Sequence, residues 1–204
     1  MLAVNRPAPV RPAVRLVLAA AGGGRLAPAG RLREPLAAAA RADAVVMSGD
    51  AGAGSGQELA TALRAFGFGG PGFSAPVRAE TPRRVPQGDP VALDRRRVLL
   101  VSAVARPRSF TDTARGLGAE IAGELRFPDH HHYPAASLDK ISLALRDHDA
   151  ELVLVTSKDR VKLQGRLELP LVELPIRSEP ETGFFEWLEK KLAADRSSLE
   201  EVPK

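Results

Sequence analysis

Residues 97–127 read Arg97-Val-Leu-Leu-Val-Ser-Ala-Val104, then Pro107-Arg-Ser-Phe-Thr-Asp-Thr-Ala-Arg-Gly-Leu117, and after Gly118 Ile121-Ala-Gly-Glu-Leu-Arg-Phe127. The first run is apolar without alternation, as a strand buried on both faces must be. The second reads as a helix opened by Pro107 and stopped by Gly118. The third alternates like a half-exposed strand. Strand, helix and strand in succession predict parallel pairing through a right-handed crossover, and so an α/β fold.

The same alternation extends in both directions. Towards the N-terminus, Val14 to Ala20 and Ala42 to Met47 read as buried strands. Glu34-Pro35 opens a helix through Ala40, and Gln57 to Phe66 is a helix closed by Gly67. Between Gly69 and Asp94 five prolines (Pro71, Pro76, Pro82, Pro86, Pro90) break every period, so this stretch reads as an irregular strand and linker joining two lobes. Towards the C-terminus, Ser137 to His148 is an amphipathic helix with Ser137 as its expected N-cap. Leu152 to Thr156 and Leu171 to Ile176 are strands, and Gly183 to Ala194 is a helix before a charged, frayed tail. The expected spans are a first α/β lobe over 1–70, a Pro-rich junction over 71–96, a second α/β lobe over 97–194 and a tail over 195–204.

Composition narrows the function classes. At 44% hydrophobic and 26% charged, the 204 residues can bury a core, which excludes wholesale disorder. With no cysteine, disulfides and thiolate metal sites are excluded. No apolar run approaches the roughly 18 residues a membrane span needs, and prolines at 7, 9 and 12 interrupt the start, so a soluble or peripheral protein is expected. The net charge of +4 comes with an arginine-rich bias and no aromatic stacking platform, which argues against nucleic acid. It suits an anionic ligand or an anionic membrane surface.

Four segments carry chemistry. Gly52-Ala-Gly-Ser-Gly56 lies between a strand and a helix, where phosphate loops sit. However, Gln57 and Glu58 follow it, and neither the Walker nor the dinucleotide pattern is met, so no cofactor-binding residue is identifiable there. Arg31 and Arg33 could converge on a phosphate or carboxylate, with Glu34 orienting Arg33; equally, they could be solvated at a helix start. Phe127-Pro-Asp-His-His-His-Tyr133 gathers three of the four histidines. It reads as a proton-handling cluster or a solvated turn, whereas a metal site is disfavoured because consecutive histidines diverge and no second cluster exists. Thr156-Ser-Lys-Asp159 follows a buried strand at the end where open α/β sheets bind ligands; Lys158 could meet a phosphate, and Asp159 could cap the next segment.

In order along the chain, several stretches resemble the tetraacyldisaccharide 4′-kinase (lipid A 4′-kinase) family. They are Leu26-Ala-Pro-Ala-Gly-Arg-Leu-Arg-Glu-Pro35, Arg41-Ala-Asp-Ala-Val-Val46, Ser102-Ala-Val-Ala-Arg-Pro-Arg-Ser-Phe110, the Asp-His turn and Val155-Thr-Ser-Lys-Asp-Arg-Val-Lys162. The resemblance implies a P-loop-NTPase-like three-layer α/β/α fold, here with an incomplete first lobe and a complete, smaller C-terminal lobe. It implies transfer of the ATP γ-phosphate, with Mg²⁺, to the 4′-hydroxyl of tetraacyldisaccharide 1-phosphate in lipid A biosynthesis. That work would be done in the cytoplasm, peripherally at the inner-membrane surface. It further implies that Arg33, Glu34 and Arg31 bind substrate, and that His130 supports a catalytic aspartate. Asp129, Lys158 and Asp159 would line the cleft or serve structure.

The sequence departs from the family in its Gly-Lys-Thr loop, its catalytic Asp and its Asp-Asp-Gly-Phe-Gln-His segment. Ala19 and Ala20 stand where a strand should end in Asp, and Gly22-Gly23-Gly24 replaces Gly-Asn-Gly. The expectation is a C-terminal half to two-thirds of such a kinase, whether a fragment, a late-started gene or a degenerate copy, inactive alone. The alternative is a non-catalytic α/β module for an anionic lipid or sugar phosphate.

Overall fold

The computed structural model describes residues 14–20, 35–49, 52 and 54–200, without the side chains of 18–20 and 195–200. In chain order the elements begin with β1 Leu16–Ala20, a 3₁₀ segment Leu36–Arg41, β2 Ala44–Gly49, α1 Ser55–Leu63, β3 Gly72–Ala79 and β4 Arg83–Arg84. They continue with β5 Arg97–Ser102, α2 Pro107–Gly116, β6 Glu120–Arg126 and α3 Ala135–Asp147. The last are β7 Leu152–Thr156, α4 Ser157–Leu163, β8 Leu171–Leu174, β9 Ile176–Ser178 and α5 Thr182–Glu200. The described residues up to Val77 and from Ser178 onward make one compact unit, and Arg78–Arg177 makes a second.

The first unit is built on the sheet β1-β2-β3-β9, with β1, β2 and β3 parallel. Val45 of β2 packs with Ala60 and Leu63 of α1 on one side. On the other, Val46 and Phe73 meet Phe184 of α5. Phe73 lies edge-on to Phe184 at 5.4 Å and 5.6 Å from Trp187, a geometry worth about 0.5–1.5 kcal/mol per aromatic pair beyond the area buried. The α1 helix approaches β3 at Gly56, whose backbone touches that of Phe73. The glycine-rich segment read as a flexible connection thus includes a close-packed contact.

The second unit holds the sheet β4-β8-β7-β5-β6, antiparallel only between β4 and β8. Side chains alternate across it. Val98, Leu100, Leu154 and Val172 form one core with Phe110 and Ala114 of α2. Leu99, Val101, Val153 and Val155 form another with Ile141 and Leu145 of α3 and Leu163 of α4. Burial on both faces explains the unbroken apolar runs in β5 and β7. The connections from these neighbouring strands leave towards opposite faces, α2 on one and α4 on the other, so their C-terminal ends are the switch point at which open α/β sheets form a crevice.

Several local expectations give way. The helix read from Glu34-Pro35 through Ala40 is the 3₁₀ segment Leu36–Arg41, following Pro35. Gly69 to Asp94, read as an irregular strand and linker, holds the eight-residue β3 and the short β4; Pro76 sits at the last pair of β3 with β2, where a missing N–H costs the ladder least. The single strand read over Leu171 to Ile176 is two, β8 and β9, separated by Pro175 and paired into different sheets. Ser137 is not an N-cap, because α3 starts at Ala135 after Pro134. The spans expected over 1–70, 71–96, 97–194 and 195–204 differ from the two units, since α5 groups with the first through its contacts with β2 and β3.

Candidate functional site

The crevice end of the second sheet is organised around one buried carboxylate. Chain leaves β7 at Thr156, whose hydroxyl accepts the Asp159 N–H at 3.3 Å and so caps α4. Capping therefore falls to Thr156 rather than to Asp159, the residue expected in that role. The Asp159 side chain is fully buried; its Oδ2 accepts from the Ala103 N–H at 3.0 Å and from Thr156 Oγ1 at 2.7 Å. One carboxylate thereby ties the end of β5 to the end of β7.

Asp159 Oδ1 and the Tyr133 hydroxyl are both buried and form no hydrogen bond among the described residues. Burial above all, and then the nearby Asp159 charge, pushes the Tyr133 phenol far above its ordinary pKa, so it stays protonated. The carboxylate and the phenol face one another without a fully formed bond.

Tyr133 is also the inner end of the histidine turn. His131 stacks on Phe127 at 4.7 Å and 15°, and Tyr133 lies edge-on to both rings at 5.0 and 5.1 Å. His131 Nε2 shares a 2.8 Å hydrogen bond with the Ser137 hydroxyl. Arg166 donates to the carbonyls of His132 at 3.1 Å and Tyr133 at 2.7 Å. His130 and Tyr133 both adopt left-handed backbone, φ 63° and 53°, at a cost of order 1 kcal/mol each that the packed aromatic base offsets.

On this base the three histidines part company. His131 is a packing residue, and His132 is exposed, its backbone carbonyl accepting from Arg166. His130 projects outward, 86% exposed, with Nε2 3.8 Å from Asp129 Oδ2 and its backbone N–H bonded to Asp129 Oδ1 at 3.1 Å. Lys158 is exposed in the first turn of α4. The arrangement offers an imidazole able to hold or move a proton and an ammonium able to meet an anion, both on the crevice end of one sheet.

The structure thus brings Asp159 up to Tyr133 at the inner end of the histidine turn, and pairs His130 with Asp129. Arg31, Arg33 and Glu34 lie outside the described residues. Sequence reasoning missed Thr156 as the cap, although Thr-x-x-Asp ahead of a helix was a usable signal. It also missed Arg166, whose role depends on chain more than thirty residues away and has no local signature.

The start of α1 does not fit a nucleotide phosphate tail, and the described residues do not fit its metal. No group of three or more His, Asp or Glu among them is placed to hold a metal ion. At the start of α1, the Gly56 N–H donates to Ser74 Oγ at 3.1 Å and the Ser55 hydroxyl to the Gly52 carbonyl at 2.8 Å, while Glu58 occupies the first turn. Donors that would cradle phosphate are spent internally, beside a carboxylate that would repel it.

Comparison with known proteins agrees with the motif order. The family model described as tetraacyldisaccharide-1-P 4′-kinase matches residues 16–193. The tetraacyldisaccharide 4′-kinase of Methylobacterium nodulans is 37% identical over 177 residues, 85% of this chain and 48% of that protein. That of Anaeromyxobacter dehalogenans is 38% identical over 157 residues, 72% of this chain and 40% of that one. A crystal structure of LpxK from Aquifex aeolicus in complex with ATP shares the fold, with a TM-score of 0.55 and 23% identity over 91% of this chain and 53% of that one. The chain spans about half the length of the relatives it matches. Sequence similarity running through both units, from β1 into α5, places this chain in the tetraacyldisaccharide-1-phosphate 4′-kinase family.

Proposed function

We propose that this chain carries the acceptor-facing part of a tetraacyldisaccharide 4′-kinase. It holds the phosphorylated, acylated disaccharide, while transfer of the ATP γ-phosphate to its 4′-hydroxyl needs parts that the described residues do not provide. The observation that carries this reading is the histidine turn, whose stacked aromatic base and Arg166 clamp hold His130 outward at the crevice end of the second sheet. A proton-handling group on a rigid support is what a hydroxyl acceptor requires. Lys158 offers a charge for the acceptor's phosphate, and Arg31, Arg33 and Glu34 are assigned to the same substrate by their match to the family's segment. Asp129 and Asp159 serve as supports.

The fold assignment in this reading is a P-loop-NTPase-like three-layer α/β/α, with a partial first lobe and a complete second. ATP and Mg²⁺ are the family's cofactors, and the chain alone is expected to lack transfer activity. No helix among the described residues is long and apolar enough to cross a membrane. By its family, contact with the acyl chains is assigned to a peripheral position at the cytoplasmic face of the inner membrane. A second reading, a non-catalytic module for an anionic lipid or sugar phosphate, draws support from the internally spent donors at the start of α1.

Titration of the 204-residue chain with tetraacyldisaccharide 1-phosphate in detergent micelles tests the acceptor role. Saturable binding is expected, weakened about tenfold by Lys158→Ala, the worth of one charge-assisted contact, with unchanged unfolding behaviour. Non-saturable binding, or equal affinity in the variant, would remove Lys158 and the crevice from the account.

A further inference from the structure

A second arrangement lies on the other face of β5. Val98 and Leu100 point into the core shared with α2, and Leu99 and Val101 into the opposite core. Strand alternation puts Ser102 in the first row, just beyond the last apolar residue on the α2 face. It is 2% exposed, and its hydroxyl makes no hydrogen bond among the described residues. A buried hydroxyl left in this state has lost its water without gaining a partner, a cost that a ligand would recover.

Arg126 shares the strand face of that hydroxyl. The β5–β6 register pairs Ser102 with Arg126 and Leu100 with Glu124, so both β6 side chains share the Ser102 face. Glu124 accepts from Arg126 Nε at 2.7 Å and Nη2 at 2.8 Å, and from Thr111 Oγ1 of α2 at 2.9 Å. The Arg126 hydrogen bonds, with help from Thr111, hold the Glu124 carboxyl below its ordinary pKa, so the pair stays ionised and the guanidinium is fixed in place.

The ten-residue α2 begins at the same end. It has no side-chain cap and no acidic residue in its first turn. Pro107 brings no N–H, while those of Arg108 and Ser109 have no intrahelical acceptor, and the helix dipole adds positive potential. Arg106 and Arg108 are exposed on either side of Pro107.

We propose that Ser102, Arg126 and the first turn of α2 form a binding site for a phosphate monoester. Its three terminal oxygens would take up a hydroxyl, a fixed guanidinium and two backbone N–H groups, which the fold gathers at the end of β5 and β6 where α2 begins. The inference stands on β5, β6 and α2 alone and is independent of the acceptor role of Lys158 and His130.

The ¹⁵N-labelled 204-residue chain titrated with inorganic phosphate tests it. The Arg108 and Ser109 amides should shift saturably. Ser102→Ala and Arg126→Gln should each weaken binding about tenfold or more while keeping a dispersed spectrum, since one deletes only an unpartnered hydroxyl and the other a half-exposed side chain. A merely structural serine would leave phosphate affinity untouched. Parallel titrations with a hexosamine 1-phosphate and with AMP identify the source: tighter binding of the first assigns a sugar-phosphate headgroup, of the second a nucleotide, and equal binding the phosphate alone. Absence of saturable shifts at these amides, or equal affinity in both variants, would overturn the site.

Discussion

Asp159→Ala should lower the stability of the second unit by about 3 kcal/mol, because it strands the buried Ala103 N–H and the half-buried Thr156 hydroxyl at once. The Ala103 N–H and the Thr156 hydroxyl both end on Asp159 Oδ2, and the carboxylate is fully buried, so water cannot replace it without opening the sheet end. Asp159→Asn should be much milder, under about 1 kcal/mol, since its oxygen keeps one acceptor and its amide can donate to the Tyr133 phenol that now lacks a partner. Urea unfolding gives the free energies, and hydrogen exchange at the Ala103 amide reports the bond itself. Equal stability of wild type and Asp159→Ala would mean that the β5–β7 tie is not carried by this side chain.

The first unit has its own point of failure. A Cβ at Gly56 would lie 2.0 Å from the carbonyl carbon and oxygen of Phe73, and one at Gly72 1.9 Å from the Gly56 oxygen. Backbone meets backbone there, so no rotamer change relieves the clash. Gly56→Ala should therefore cost about 3 kcal/mol or more by forcing α1 away from β3. Gly116→Ala is the control: nothing lies within 4 Å of its added Cβ, and near the end of α2 it should be neutral or stabilising by up to about 1 kcal/mol. Trp187, 5.6 Å from Phe73, gives a fluorescence signal that follows this unit. A Gly56→Ala unfolding curve that overlays wild type would show that the approach of α1 to β3 is not close-packed.

What the sequence could reveal follows from the range of each interaction. The β5 and β7 runs were legible because strands buried on both faces must be apolar throughout, and α2 because Pro107 and Gly118 bracket it. The histidine turn stood out by residue type alone. Its division of labour did not: which histidine stacks and which projects is set by Phe127, Ser137 and Arg166 acting together. Ser137 was misread for the same reason, its hydroxyl engaged by His131 instead of capping a helix. The placement of α5 in the first unit rests on contacts with Phe73 more than a hundred residues away. Ser102 and Arg126 became neighbours only through strand register, which no single-strand pattern encodes.

In the proposed reading the C-terminal end of the second sheet supports an acceptor, and the internally spent donors at α1 leave that helix start without a place for a nucleotide tail. The most direct measurement is incubation of the purified 204-residue chain with tetraacyldisaccharide 1-phosphate, Mg²⁺ and γ-labelled ATP, followed by separation of the lipid. The account predicts no label in the disaccharide above a protein-free blank. Label incorporated at the 4′ position in proportion to the amount of this chain would contradict it.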